Sequence, residues 1–407
     1  MEKKLIITKN LISCAEGHVR LEQCPTGILI CGEHIENKAP LQEFQKELED
    51  SGIEKIDAGE GYVLPGLIDG HLHLSFSASS QPVTELINDT PSQILLRETA
   101  AAQMELKSGV TTVRDCGARG MSILELRDFI REGVIQGPDI IACGMPITIT
   151  GGHCNFCGLE ADSKEEVVKA VRSLLKSGVD YIKVMVSGGN MTPGSNSMID
   201  QYEEETLAAI VKEAHERGKK VAGHVHSVAG IRRAIQAGFD ILEHCSFKDG
   251  DGEDYREELV EEMKKKNIAV NPAVGKAYIL PAEEAAPQPD KVAMWAGFQK
   301  SRFSTTERMY QAGIPVFAGT DAGCKNTKFD ELYLTLDMME KKIHLSKEDV
   351  LLSATSLAAD ILGVGDKVGT IESGKQADIL IVKENPLESF LNLKDVVMVI
   401  KRGKKVE

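Results

Sequence analysis

Long apolar runs and an excess of basic residues are both missing from this 407-residue sequence. No stretch approaches the roughly 20 apolar residues that a membrane helix needs, and the early run Leu5-Ile6-Ile7 is too short for a signal peptide. The 47 lysines and arginines are outnumbered by 62 aspartates and glutamates, which gives a net charge of −15. So acidic a chain is a poor partner for nucleic acid or an anionic membrane surface. We therefore expect neither partner.

Cysteine is too sparse for a scaffold held together by disulfides. The nine cysteines are an odd number spread over a long chain, which favours reduced thiols in a cytoplasmic protein. Low-complexity tracts and internal repeats are also missing. The 42% apolar and 27% charged residues are instead typical of a globular protein with a large core.

The middle of the chain alternates short β-rich runs with longer segments of helical periodicity, such as Ile94–Lys107 and Glu165–Lys176. Such alternation predicts a parallel sheet with helical crossovers. Eight repeats predict an α/β fold of the (β/α)8 TIM-barrel type, in which chemistry occurs at the carboxyl ends of the strands. The predicted strands are Tyr62–Leu67, Val110–Arg114, Ile140–Ile147, Tyr181–Val186, Val221–Val225, Ile241–His244, Ile268–Asn271 and Pro315–Ala318.

The two ends of the chain have a different pattern, with short β-rich runs of antiparallel character. Neither end alone is large enough to bury a core. We therefore predict that residues 1–60 and 365–407 together form a small β-sandwich domain, and that residues 61–364 form the barrel domain.

Metal-ligand residue types recur where the predicted strands end. His71 and His73 are two positions apart, so on an extended chain both imidazoles point the same way and can reach one ion. Three later strand ends supply His224 with His226, then His244, and then Asp321. Histidines with one aspartate suit Zn²⁺ or a similar divalent ion. Any single histidine among them has the alternative interpretation of a hydrogen-bonded core residue.

Lys183 lies in the middle of the apolar fourth strand, where an unpaired charge would be costly. It could pair with a buried carboxylate or extend to the mouth of the barrel. Alternatively, a neutral Lys183 reacts with CO₂ to form a carbamate, an anionic oxygen ligand able to bridge two metal ions.

This order of residues resembles the amidohydrolase superfamily. The resemblance spans nearly the whole chain, and its most similar branch is that of the binuclear Xaa-Pro and Xaa-Arg dipeptidases (prolidase-like) and ochratoxin amidases. It rests on these segments: Val63-Leu64-Pro65-Gly66-Leu67-Ile68-Asp69-Gly70-His71-Leu72-His73, Gly109–Asp115, Thr150–His153, Ile182–Met185, His224-Val225-His226, Gly319-Thr320-Asp321 and Gly369–Asp378.

The resemblance implies two divalent metal ions, with Zn²⁺ favoured and iron, manganese or cobalt left open. His71, His73 and Asp321 would bind one ion and His224 and His244 the other, with carboxylated Lys183 as the bridge. A metal-bridging hydroxide would attack the amide carbonyl, and Asp321 would carry its proton to the leaving nitrogen. The expected protein is a homo-oligomeric hydrolase of dipeptides such as Xaa-Pro, or of N-acyl amino acids.

Four further residues are candidates for substrate binding. His153 could bind the oxyanion or a substrate carboxylate, although it could also be a solvated loop histidine. His226 could line the pocket or replace His224 as the ligand, and we favour His224. Arg114 and Tyr278 could anchor a carboxylate, with a structural ion pair and a packed loop aromatic as their respective alternatives. Cys154, Cys157 and Cys324 are expected near the mouth without an assigned role.

Two other functions remain open. A mononuclear deaminase, or a hydrolase of a heterocyclic small molecule, would share the histidines but generally lack the carbamate lysine, so Lys183 argues against it. A binding protein without metal would have lost ligands, whereas this sequence retains all of them.

Overall fold

The computed structural model describes residues 2–250, 252–276 and 289–407, with the side chains of the last range from residue 296 onward. The strands β1–β20 are Lys3–Thr8, Asn10–Ser13, Arg20–Glu22, Thr26–Cys31, His34–Pro40, Glu54–Asp57, Tyr62–Pro65, Leu67–Leu72, Val110–Asp115, Asp139–Ala142, Ile147–Thr148, Leu159–Glu160, Ile182–Met185, Val221–Ser227, Ile241–Asp249, Gly252–Glu253, Ala269–Asn271, Ile379–Val382, Val396–Lys401 and Lys404–Lys405. The helices α1–α12 are Gln45–Glu49, Pro82–Asn88, Pro91–Lys107, Ser122–Arg131, Lys164–Lys176, Glu204–His215, Val228–Ala237, Glu257–Lys265, Pro289–Gln311, Leu332–Lys341, Lys347–Ser353 and Ser356–Leu362. Short 3₁₀ helices span Leu41–Phe44 and Phe390–Lys394.

The middle of the chain is an α/β fold with parallel strands, as the alternating pattern predicts. One parallel set runs β8-β9-β10, and a second joins β11, β13, β14, β15 and β17 side by side. Single parallel bridges join Val270 to Val316 and Leu72 to Ala322. The carboxyl ends of these strands therefore lie at one end of the fold.

Three predicted strands differ from the structure, and the eighth, predicted over Pro315–Ala318, is reduced to a single bridge at Val316. The first, predicted over Tyr62–Leu67, is divided at Gly66: Tyr62–Pro65 pairs with Ile379–Val382, and the strand that carries His71 begins at Leu67. A side chain at Gly66 would meet Thr111, so the close approach of a neighbouring strand requires glycine there. The third, predicted over Ile140–Ile147, is interrupted, with Asp139–Ala142 and Ile147–Thr148 as its two parts.

The helical predictions hold to within a few residues. The predicted segment Glu165–Lys176 lies in α5, where Ser163 and Glu166 form the expected reciprocal capping box. Gly238 ends α7 with φ +91°, the left-handed conformation expected of a glycine C-cap. None of the described helices is long and apolar enough to cross a membrane.

The two ends of the chain pair in β-sheets beside the parallel strands. One sheet has the order β5-β4-β1-β6, and the other, β20-β19-β18-β7-β2-β3, combines strands from both ends. Most of these pairs are antiparallel, as expected, but β1–β6 and β2–β7 are parallel. A buried apolar cluster that includes Ile6, Ile30 and Ile379 packs these sheets together.

A buried ion cluster ties the C-terminal strand to the parallel strands. Lys401 Nζ lies 2.7 Å from Asp378 Oδ2 and 2.8 Å from Asp139 Oδ2, at the start of β10. The Lys401 and Asp378 side chains are 6% and 4% exposed. Removing the ammonium would leave the buried Asp378 carboxylate without this cation, with only Asp139 still paired to Arg402, which is costlier than losing a surface pair.

We predict that Lys401→Met lowers the free energy of unfolding by about 3 kcal/mol, because the buried carboxylates lose their shared cation. Urea denaturation followed by circular dichroism measures the change. Lys9→Met is the matched control, since Lys9 and Glu60 form an exposed pair, and it should leave stability unchanged. Equal stability of the two variants would contradict a structural role for the cluster.

Candidate metal centre

The histidines predicted from scattered segments line one cavity of about 170 Å³. It lies at the carboxyl ends of the parallel strands, and sulfur-bearing and basic side chains complete its wall. The lining residues are His71, His73, His153, Cys154, Lys183, Met185, Asn190, Met191, His224, His226, His244, Gly275, Phe298, Arg302, Thr320, Asp321, Cys324, Lys325 and Thr327.

His71, His73 and Asp321 form the first ligand-type group in this cavity. Asp321 Oδ1 lies 3.5 Å from Nε2 of His71 and 3.5 Å from Nε2 of His73. Burial alone would raise the pKa of Asp321, but hydrogen bonding to His73 and the nearby imidazoles hold it below its usual range. The group therefore offers two ring nitrogens and an ionised carboxylate to one point.

The strands position this first group through buried backbone contacts. Asp69 accepts hydrogen bonds from the His71 N–H at 3.0 Å and from the Thr320 hydroxyl at 2.6 Å, which ties β8 to the segment that carries Asp321. Burial raises the pKa of Asp69 to about 6, against the hydrogen bonds from Thr320 and His71. Asp321 itself has φ +61°, so its backbone leaves the extended conformation as the segment turns.

His224, His226 and His244 form a second group on β14 and β15, with ligand atoms within 4.8 Å of one another. Burial, with neighbouring positive charges, lowers the pKa of all three imidazoles well below the usual range, so they are neutral at pH 7. Among the described residues, the buried atoms His224 Nε2 and His244 Nδ1 have no hydrogen-bond partner. His226 Nδ1, by contrast, lies 2.7 Å from Ser246 Oγ.

Lys183 lines the same cavity as the two groups and is 1% exposed. Its Nζ lies 3.8 Å from Oε1 of Glu243. With its amine unmodified, Lys183 therefore pairs with a buried carboxylate, which is one of the alternatives that the sequence left open.

Sequence reasoning missed Glu243, which precedes His244 in β15 and is fully buried. Its Oε2 lies 2.8 Å from His71 Nδ1 and its Oε1 lies 2.6 Å from Arg114 Nη2. Burial raises the pKa of Glu243, but Arg114, Lys183 and His71 outweigh it and hold the pKa below the usual range. The sequence did contain a signal for Glu243. An unpaired charge within an apolar strand is costly, which is the argument that singled out Lys183.

These donor sets fit divalent cations. Imidazole nitrogens and a carboxylate oxygen are typical zinc ligands, and neutral imidazoles are the form that binds metal. Two buried ring nitrogens without a described partner would each be costly unless something binds them. Metal ligation is a chemical explanation for both atoms.

The remaining candidates have mixed outcomes. His153 lines the cavity, with Nδ1 3.1 Å from Thr192 Oγ1 and its ring 4.5 Å from that of His224, so it is not a solvated loop residue. Arg114 is 1% exposed and pairs with Glu243, the structural alternative that the sequence left open, and it is not among the cavity-lining residues. Tyr278 lies outside the described residues.

The three cysteines predicted near the mouth also have described contacts. Cys324 donates to Asp321 Oδ1 at 3.3 Å, and Cys157 packs beside Cys154.

A family model described as "Amidohydrolase family" matches residues 62–406, most of the chain. The chain belongs to the amidohydrolase family. The superfamily resemblance predicted from its motifs is thereby confirmed, and with it the prediction that the protein is a hydrolase.

Similar proteins cover nearly the whole chain. Ochratoxinase from Aspergillus niger is 28% identical over an alignment of 379 positions that covers 84% of this chain and 75% of that protein. The crystal structure of a Xaa-Pro dipeptidase with methionine bound in its active site superimposes with a TM-score of 0.86 at 30% identity, covering 100% of both chains. A prolidase complexed with N-methylphosphonate-L-proline has a TM-score of 0.84 at 25% identity, covering 100% of this chain and 99% of that one.

We predict that His224→Asn loses bound zinc, whereas His226→Asn retains it, because His224 Nε2 is a buried nitrogen without a described partner and neither ring nitrogen of His226 is in that state. Elemental analysis of the purified variants, after dialysis against zinc, gives the metal content per chain. The reverse result would make His226 the ligand, as the sequence alternative allows.

Proposed function

We propose that this amidohydrolase is a metal-dependent enzyme that cleaves C–N amide bonds of small substrates, namely dipeptides such as Xaa-Pro or N-acyl amino acids. The observation that carries the proposal is that two ligand-type groups and buried Lys183 line one cavity. Similarity to a Xaa-Pro dipeptidase and to ochratoxinase supports this substrate class.

Two divalent ions, with Zn²⁺ favoured, are assigned to the two groups. His71, His73 and Asp321 would hold the first and His224 and His244 the second, with Lys183 contributing to both as a carbamate. Bound there, the ions would lower the pKa of a water molecule toward neutrality and polarise the substrate carbonyl.

The carbamate forms when the neutral Nζ of Lys183 attacks the carbon of CO₂. One N–C bond forms as the electron pair of one C=O π bond moves onto oxygen, one proton leaves the nitrogen for water, and the neutral amine becomes an anionic carbamate. Because the surroundings of Lys183 are dry, an anionic oxygen ligand there would be stabilised by cations on either side.

Three residues have proposed roles in the reaction. Asp321, which is ionised, accepts the proton of the attacking water and passes it to the leaving nitrogen. His153 stabilises the developing oxyanion or binds a substrate carboxylate, with its ring oriented by Thr192. His226 lines the substrate side of the pocket. Tyr278 keeps its sequence-based assignment to substrate, whereas Arg114 is assigned to holding Glu243.

We infer that the parallel strands close into a (β/α)8 barrel. The bridges Val270–Val316 and Leu72–Ala322 support closure through the segment 316–322. Residues 1–60 and 365–407, joined by Tyr62–Pro65, would form the β-sandwich domain, which the shared sheet β18–β7–β2 supports. Cytoplasmic location and homo-oligomerisation remain predictions from the sequence.

The test of this function is a screen of dipeptides and N-acyl amino acids with protein reconstituted in zinc, cobalt or manganese. We expect hydrolysis of Xaa-Pro dipeptides or N-acyl amino acids, its loss after chelation and its return with metal. Release of ammonia from heterocyclic amines by a protein with one metal per chain would instead support the deaminase alternative.

Lys183→Met should abolish turnover and reduce bound metal, because methionine cannot form the bridging carbamate. Short-chain carboxylates should partly rescue Lys183→Ala by supplying the missing oxygen ligand. Steady-state kinetics and elemental analysis measure both effects. Full activity with two metals per chain in Lys183→Met would remove the carbamate from the account.

A further inference from the structure

Glu243 is placed to act on the metal centre without lining the cavity. Its carboxylate contacts His71 through Oε2, whereas Oε1 faces Arg114 at 2.6 Å and Lys183 at 3.8 Å. None of these four side chains is more than 1% exposed. One buried carboxylate therefore touches a ligand of the first group and the lysine that lines the same cavity.

The contact to His71 selects the tautomer that binds metal. His71 Nδ1 lies 2.8 Å from Glu243 Oε2 and donates to it, so Nε2 is the ring nitrogen left to bind a metal ion. That Nε2 is the atom 3.5 Å from Asp321. His73 uses a different acceptor, since its Nδ1 lies 3.0 Å from the carbonyl of Gly117.

Arg114 joins the Glu243 carboxylate to β8, the strand that carries His71. Its Nη2 binds Glu243, while its Nε donates to the carbonyl of Gly70 at 2.7 Å, one residue before His71. The guanidinium also lies 5.2 Å from the ring centre of Tyr181 and 5.3 Å from that of Phe317. Glu243 therefore has little freedom to rotate away from His71.

We propose that Glu243, held by Arg114, is a positioning residue: it keeps His71 oriented with Nε2 toward the first metal ion. The inference rests on the proposed function, because it assigns the carboxylate to a centre that the function requires. Neither Glu243 nor Arg114 is expected to touch the substrate.

The test measures zinc affinity by chelator competition in Glu243→Gln, independently of turnover. A glutamine amide cannot accept from both Arg114 and His71, so zinc should bind roughly 10- to 100-fold more weakly, the usual effect of removing a partner of a metal-binding histidine. Glu213→Gln is the matched control, since Glu213 is a buried carboxylate paired with Arg172 away from the cavity. Its zinc affinity should equal that of the wild type.

A second variant separates positioning from folding. Arg114→Met with Glu243→Met removes both charges together, which usually preserves stability better than removing one. Weakened zinc binding with a wild-type melting temperature of the zinc-free protein would support the proposal. Wild-type zinc affinity in both Glu243 variants would overturn it, whereas a wild-type protein that binds no zinc would overturn the proposed function itself.

Discussion

The carboxylate of Glu243 lies among Arg114, Lys183 and His71, and all four side chains are buried from water. A charge in such a place is tolerated only when opposite charges and hydrogen bonds replace its hydration. Arg114 supplies the permanent positive charge, and His71 and Lys183 complete the contacts. The arrangement of the cavity depends on this ion cluster, because His71 and Lys183 belong to the cluster and also line the cavity.

The second ligand group consists of three buried imidazoles, and two of their ring nitrogens, His224 Nε2 and His244 Nδ1, have no described hydrogen-bond partner. Burial lowers the pKa values of His224, His226 and His244, so proton binding does not satisfy them at neutral pH. A divalent cation would satisfy the lone pairs without requiring protonation, and it would also offset the negative charge of Asp321. The same metal binding would thus supply the proposed chemistry and give the buried imidazole nitrogens the partner that they lack.

Much of this site was predictable because strand geometry links sequence spacing to direction. His71 and His73 are two residues apart, and their Nε2 atoms meet at Asp321 as the period of an extended chain requires. The strands' parallel order was predictable from the alternation of β-rich and helical segments. The choice between His224 and His226 was not, because both share one face of β14 and only tertiary contacts such as Ser246 distinguish them.

Other features depend on contacts that no local pattern encodes. Arg114 and Glu243 are 129 residues apart in the chain, so neither could be assigned to the other from sequence. The division of the predicted first strand at Gly66 depends on pairing with Ile379–Val382, near the opposite end of the chain. In both cases the structure depends on a contact with residues far away in the chain, which the local sequence does not reveal.

A crystal structure of the zinc-loaded protein, with anomalous difference maps at the zinc edge, tests the central claim most directly. The account predicts two peaks, one among His71, His73 and Asp321 and one between His224 and His244, with density for a carboxylate on Lys183 Nζ. A cavity without peaks, and an unmodified Lys183 amine still paired with Glu243, would contradict it.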